Sequence, residues 1–468
     1  MLLGWSESQR GEGGCDFWSC SSDGEAAAKH EHSAKSLLAV TSSNARSLSV
    51  VPRHLISLAN LHTNLWVLGL EAIMRTKHTS HSLPAFPVYS SAFVSPTDFV
   101  LGGGGGQSKT GIKNKLRLYH AEGDKAITLL HELELAAGED APMSIAAHPQ
   151  REEIVCGINS AQSALEGGHN ENCRVYEVKE NKIAPSTTRS TLRLNDADDD
   201  YQRVTVFSPD GRYLAVAGTH DLSVLEYPSL SPVAAPIHLD KGEIFDASFS
   251  TKSLVVASTV NLSVYALPAD EDGDALEGKK DDAEPSALEL QQTIDRPDLP
   301  GKDAGSSFRA ARYHPHDEKV LYTVMNTVPP RTRTKSSPRR SFICKWDTET
   351  WKMIKTRQVS DRQVTCFDVS ADGKLLAYGS SDLTVGVVDA QTLAPLLNIL
   401  KAHDFPPTTL RFNPTSDKLI SGSADNTVRI VTIPPNINST SWSTWILVIV
   451  ALLVALFAFL AQQMHQAA

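Results

Sequence analysis

Ser370-Ala371-Asp372-Gly373-Lys374-Leu375-Leu376-Ala377-Tyr378-Gly379-Ser380-Ser381-Asp382-Leu383-Thr384-Val385-Gly386-Val387-Val388 spells out the unit from which most of this chain is built. Ser-Ala-Asp-Gly is turn chemistry: Ser and Asp side chains bond nearby backbone, and glycine reaches positive φ without a steric cost. The run Leu375 to Ser380 is short, apolar and bounded by turn residues, as a buried strand is. Ser381-Asp382 makes a second turn, and Leu383 to Val388 a further strand.

The same order recurs along the chain. Turn units stand at Ser95-Pro96-Thr97-Asp98, His148-Pro149-Gln150-Arg151, Ser208-Pro209-Asp210-Gly211, Ser250-Thr251-Lys252, His314-Pro315-His316-Asp317, Ser370-Ala371-Asp372-Gly373 and Asn413-Pro414-Thr415-Ser416-Asp417, 42 to 64 residues apart. A repeat of roughly 40–45 residues with several short strands is the pattern of a β-propeller blade. Each blade buries its faces against its neighbours, and the ring hides most strand edges. The unit resembles the WD repeat, whose terminal pair survives as Trp346-Asp347. The expected fold is therefore all-β: a seven-bladed WD-repeat-like propeller over residues 83–435. The recurring Asp and His residues are expected to bond the turns of each blade, not to catalyse, because they recur at equivalent positions.

The C-terminal end reads differently. Trp445 to Ala461 holds seventeen residues without one polar side chain. In a helix they span roughly 26 Å, near the thickness of the endoplasmic reticulum bilayer. A buried core helix would show a polar stripe. Trp442 and Trp445 suit the aromatic belt of a membrane interface. The expectation is a single C-terminal transmembrane helix at 445–461, after a linker at 436–444 and before a short lumenal tail at 462–468. No apolar segment near Met1 has the form of a leader, so the propeller is expected to face the cytosol. Asn438-Ser439-Thr440 would then stay free of sugar.

Composition excludes several classes. The net charge of −10 argues against phosphate-led nucleic-acid binding. Cys15, Cys20, Cys156, Cys173, Cys344 and Cys366 are scattered, without the second pair a zinc site needs, and suit reduced cytosolic thiols. Neither H-E-x-x-H nor G-x-S-x-G occurs. Two inserts interrupt the ring: an acidic one at Pro268 to Ser307 and a basic one at Thr327 to Ser341, both expected to be solvated. Residues 1–82 precede the ring, and Met1 to Ile73 shows no strand grammar. They are expected to be an extension, disordered or arising upstream of a natural start at Met74.

Within the first blade, Gly102-Gly103-Gly104-Gly105-Gly106-Gln107-Ser108-Lys109-Thr110-Gly111-Ile112-Lys113-Asn114 breaks the pattern. A glycine run forfeits too much backbone entropy to make a stable strand interior and suits a loop that approaches another group closely. A phosphate-binding loop would need glycine before the Lys-Thr pair and a helix after it. Here Ser108 precedes Lys109, and Leu116-Arg117-Leu118-Tyr119 alternates like a strand. A plain hairpin connection and an ordered, cation-braced loop that enters a partner both remain.

Phe86-Pro87-Val88-Tyr89, then Gly103 to Gly106, then Lys109-Thr110-Gly111-Ile112-Lys113-Asn114 are similar, in order and spacing, to the first-blade loop of the membrane-bound exchange factors for the COPII small GTPase, the prolactin regulatory element-binding protein family. The resemblance extends over about Phe86 to Ala461. It implies a guanine-nucleotide exchange factor at the endoplasmic reticulum membrane, with no covalent chemistry of its own. It implies a potassium ion bracing Gly103, Gly104, Gly105, Gly106, Thr110 and Gly111. It implies that Ile112 and Asn114 engage the GTPase. The other readings are a membrane-tethered scaffold, which would not need this loop, and a propeller enzyme, which would need titratable groups converging on the channel.

Overall fold

The computed structural model describes residues 77–107, 111–123, 125–192, 200–268, 286–301, 303–329, 339–435, 437 and 442–467. The expectations for Cys15 and Cys20, the start at Met74, Thr110, Asn438 and the middle of both inserts lie outside these residues.

Among the described residues the β-strands form seven antiparallel sheets arranged as blades, six of four strands and one whose outer strand is split in two. The innermost strands are Val88–Phe93, Ser144–Ala147, Val204–Phe207, Ile244–Phe249, Gly305–His314, Val364–Val369 and Pro407–Phe412. Each lies against the innermost strand of the next blade, and the last returns to the first, so the ring is closed. Apolar clusters fill the seams. Phe86, Phe99, Leu101 and Tyr119 of the first blade pack with Ile420, Val428 and Ile430 of the seventh.

The ring begins earlier than the expected boundary at 83. His78–Ser82 forms a strand that pairs with Thr427–Thr432, His78 opposite Val431, and completes the seventh blade. The reason it escapes the sequence pattern is position. An outermost strand buries little, and His78–Ser82 alternates only between exposed and half-buried. The second-blade outer strand Lys182–Arg189 is mostly exposed as well.

The recurring turn residues are structural, and their reach is wider than one blade. Ser370 Oγ accepts the Leu375 N–H at 2.9 Å and donates to Asp372 Oδ1 at 2.6 Å. His148 contacts the Gly211 carbonyl of the following blade at 3.1 Å through Nε2. Asp372 N–H donates to Ser416 Oγ at 3.0 Å, and Asn413 Nδ2 to the Pro96 carbonyl at 2.9 Å, which ties the seventh blade to the first. Glycine is required at 211, where φ is +74° and the His148 ring leaves no room for a Cβ.

Cys156, Cys173, Cys344 and Cys366 are free thiols. A helix spans Trp442–Ala467. Among the described residues no helix is long and apolar enough to cross a membrane. Side chains at 442–448, 455, 459, 460 and 465–467 lie outside that set; within it Ile449, Val450, Leu452, Leu453, Val454, Leu456 and Phe457 are exposed.

Candidate functional site

The glycine loop joins the second and third strands of the first blade, Asp98–Gly103 and Lys115–Glu122. In an antiparallel blade this connection lies at the same end of the ring as the start of the innermost strand. Two of the five glycines belong to the strand and not to the loop. Gly102 pairs with Ser90 and Leu116, and Gly103 with Val88 and Lys115. Their glycine character answers to packing. A Cβ at Gly102 would stand 2.7 Å from Pro142 Cβ, and one at Gly103 would collide with the Pro87 carbonyl. The expectation that Gly103 lies in the loop is corrected on this ground.

The chain leaves the sheet at Gly104. Its N–H donates to the Pro87 carbonyl at 3.0 Å, and its φ of +143° is one that other residues rarely adopt. Gly104 is buried, while Gly105 and Gly106 are half-buried. Gly106 and Gly111 also have positive φ, +66° and +76°.

Asn114 turns inward. It is buried, and its side-chain amide is fully engaged. Oδ1 accepts the Gly106 N–H at 2.9 Å, Nδ2 donates to the Gly106 carbonyl at 2.9 Å and to the Glu139 carbonyl at 2.7 Å. Its backbone carbonyl accepts the Leu135 N–H at 2.9 Å. The Glu139 segment is fixed in turn by Arg174, whose Nη1 donates to Glu139 Oε1 at 2.6 Å. In this structure Asn114 is thus a brace at the root of the loop. Ile112 is half-buried, between the exposed Gly111 and Lys113. Nothing comes within 4 Å of the Cβ position at Gly111. Among the described residues, Gln107 and Gly111 to Lys113 stand at the outer edge.

Sequence reasoning missed Glu139 and Arg174, and in the quoted Phe86-Pro87-Val88-Tyr89 it did not foresee the part of the Pro87 carbonyl, because a carbonyl contact or a distant ion pair leaves no motif. Asp140 lies beside the loop as well: its Oδ1 is 3.3 Å from the Cβ position at Gly106, and its charge, after burial, raises the Tyr89 hydroxyl above the usual range.

The oxygens beside the loop are the neutral Asn114 Oδ1 and Lys113 carbonyl and the Asp140 carboxylate. Asn114 Oδ1, which already accepts the Gly106 N–H, and the Lys113 carbonyl pack against Gly104, the latter 2.7 Å from its Cβ position. Neutral oxygens of this kind are what a potassium ion takes in place of its water. Among the described residues no three acidic, histidine or cysteine side chains gather as a metal site.

Comparison with known proteins agrees with the ring and with the resemblance. The model of the WD domain, G-beta repeat, matches residues 394–431. The chain is 24% identical to the guanine nucleotide-exchange factor SEC12 of Candida glabrata over 404 residues, 83% of this chain and 80% of that one. It is 23% identical to the protein of the same description from Mus musculus over 70% of this chain and 82% of the relative. It is 24% identical to SEC12-like protein 2 of Arabidopsis thaliana over 64% of this chain and 66% of that relative.

Proposed function

We propose that this chain is a guanine-nucleotide exchange factor that releases GDP from the small GTPase of the COPII coat at the endoplasmic reticulum membrane. The observation that carries the reading is the identity shared with an exchange factor over 83% of the chain. It fits a ring whose first blade holds out a braced loop.

Exchange needs no bond made or broken in the protein. A factor that binds the nucleotide-free GTPase more tightly than the nucleotide-bound one lowers nucleotide affinity by the same ratio. The work falls on a stiff surface, since a loop that must be ordered on binding gives up binding energy. Asn114 supplies stiffness by tying Gly106 and Glu139 together. Ile112, at the outer edge with Gly111 and Lys113, is then the side chain that enters the GTPase.

A potassium ion would be held by carbonyl oxygens of Gly103 at the end of its strand and of Gly104 to Gly106, Thr110 and Gly111, and would supply a positive charge that draws these dipoles together. Trp445 to Ala461 would anchor the ring as a single span with the propeller in the cytosol.

The test is a nucleotide-release assay with a panel of small GTPases, in potassium and in sodium. Release from the COPII GTPase alone, faster in potassium, is the expected result. No acceleration with any of them would leave a membrane-tethered scaffold as the function.

A further inference from the structure

One residue near the start of each innermost strand is set apart from its ladder. In five blades it is skipped by the pairing: Tyr89, Phe245, Arg309, Thr365 and Thr408. In the second and third blades Met143 and Arg203 stand just ahead of the ladder and donate to the Gly157 and Ala217 carbonyls at 2.9 Å. All seven are half-buried, and all but Thr365 stand between two buried neighbours. Bulges of this kind re-aim a side chain. On an innermost strand, the open side is the central channel. The ring of seven thus lines the channel mouth at the end where the glycine loop emerges.

Its chemistry is lopsided. Arg203, Phe245 and Arg309 come from three consecutive blades, with the guanidinium carbons 5.9 Å and 4.7 Å from the Phe245 ring centre. Arg203 also lies over Tyr201, at 5.1 Å. The carboxylates nearby are already engaged. Asp246 is paired with Arg312 and accepts the Ala311 N–H at 3.0 Å. Glu243 meets Arg203 Nη1 at 3.1 Å. Asp200 accepts from the Thr219 N–H and hydroxyl at 2.9 and 2.7 Å, and Asp368 faces Arg411 at 3.6 Å.

Arg309 is left over. Among the described residues it has no carboxylate within ion-pair distance, and it donates to the Thr365 carbonyl at 2.6 Å. Burial, joined by the repulsion of Arg203, lowers its pKa against the pull of Asp246. Arg203 Nε is buried and has no acceptor. A desolvated guanidinium without a counter-charge is costly, and one anion would satisfy both groups.

We propose that the channel mouth is a carboxylate-binding site, formed by Arg309 and Arg203 against Phe245, that takes an acidic side chain of the protein seated on the glycine-loop face. The forked donors of arginine match a planar carboxylate. The identity of the seated protein rests on the exchange-factor reading; the carboxylate site does not.

Two arms test it on the full-length protein in detergent. In the first, melting is followed in sodium acetate and in sodium chloride at equal ionic strength. Acetate is expected to raise the parental melting temperature relative to chloride, and to lose that effect in Arg309→Gln. Equal responses of parent and variant would overturn the site. In the second, affinity for the nucleotide-free GTPase is measured across a salt series. Arg309→Gln is expected to weaken binding at least about tenfold and to flatten the salt dependence. Arg309→Lys, which keeps the charge and loses the fork, should fall between. Should Arg309→Gln misfold, Arg309→Lys carries both arms, with a diminished acetate effect expected. If Ile112→Ala weakens binding while the Arg309 variants bind as the parent does, the docking role is wrong and the exchange reading survives. If the GTPase does not bind the parent at all, the exchange reading falls with the docking role, and the acetate arm still decides the site.

Discussion

The Asn114 side chain meets Gly106 twice, its Oδ1 taking the Gly106 N–H and its Nδ2 donating to the Gly106 carbonyl, both at 2.9 Å. One amide thus closes the glycine loop across eight residues as a backbone pair would. A third bond to the Glu139 carbonyl fastens the closed loop to the link between the first and second blades.

This separates two neighbours that the sequence places in one role. Asn114→Ala leaves a backbone donor and two carbonyls without their partner, and should destabilise the first blade by about 1–3 kcal/mol. Exchange should fall with it. Ile112→Ala removes no such bond, so it should lower exchange strongly at an unchanged melting temperature. Paired nucleotide-release and melting measurements check both.

The glycines divide in the same way. Gly103→Ala places a methyl group against the Pro87 carbonyl in a strand, and should lower the melting temperature of the whole ring. Gly104→Val imposes a side chain on a φ of +143° at the loop root. Its Cβ would also meet the Asn114 side chain and the Lys113 carbonyl, so it should lower both exchange and stability, and exchange per folded molecule should fall as well. The contrast is read from the ratio of the two effects.

The turn units offer a control far from the loop. Asp372 Oδ1 accepts from the Ser370 hydroxyl at 2.6 Å and the Lys374 N–H at 3.1 Å. Asp372→Ala should cost about 1–2 kcal/mol of stability and leave the exchange rate per folded molecule unchanged. Chemical denaturation and nucleotide release, run side by side, decide this.

Why the blades could be read and the loop root could not is a matter of what each buries. Leu375 to Ser380 is buried at every position, so its apolar run is visible in the sequence. His78–Ser82 closes the ring from its outer edge and needs no apolar face, so no pattern marks it. Asn114 is held by Gly106 and Glu139 and Gly103 by the Pro87 carbonyl, contacts that no hydrophobic period encodes. The structure puts the loop between the second and third strands of the first blade and turns the Asn114 side chain inward.

Acid should loosen the seventh blade. His403 Nδ1 is 2.8 Å from Thr427 Oγ1, and its Nε2 is 2.6 Å from Ser421 Oγ. Burial, opposed by Asp425, lowers its pKa from 6.5 to about 4. The folded state therefore binds fewer protons than the unfolded one between these values. The stabilisation is present above pH 6.5 and is lost as pH falls toward 4, by on the order of 3 kcal/mol. His403→Gln should be less stable than the parent at pH 7 and should show a shallower loss between pH 6.5 and 4. Urea denaturation at several pH values measures the slope.

Removing residues 445–468 should yield a protein that stays in the aqueous phase, keeps a cooperative melt and promotes exchange in solution. Fractionation of membranes from cells that make the parent and the shortened chain shows whether the apolar run is the anchor.

The strand His78–Ser82 has a consequence for manufacture of the ring. Its partner, Thr427–Thr432, is the last strand of the propeller to be synthesised, so the two ends of the domain must wait for each other. Until they meet, the seventh sheet presents a bare edge of unpaired amides and carbonyls, the kind of edge that recruits strands from other molecules. A chain trimmed past Ser82 would keep that edge permanently. Its characteristic fault would then be self-association at the seventh blade, with the glycine loop still in place.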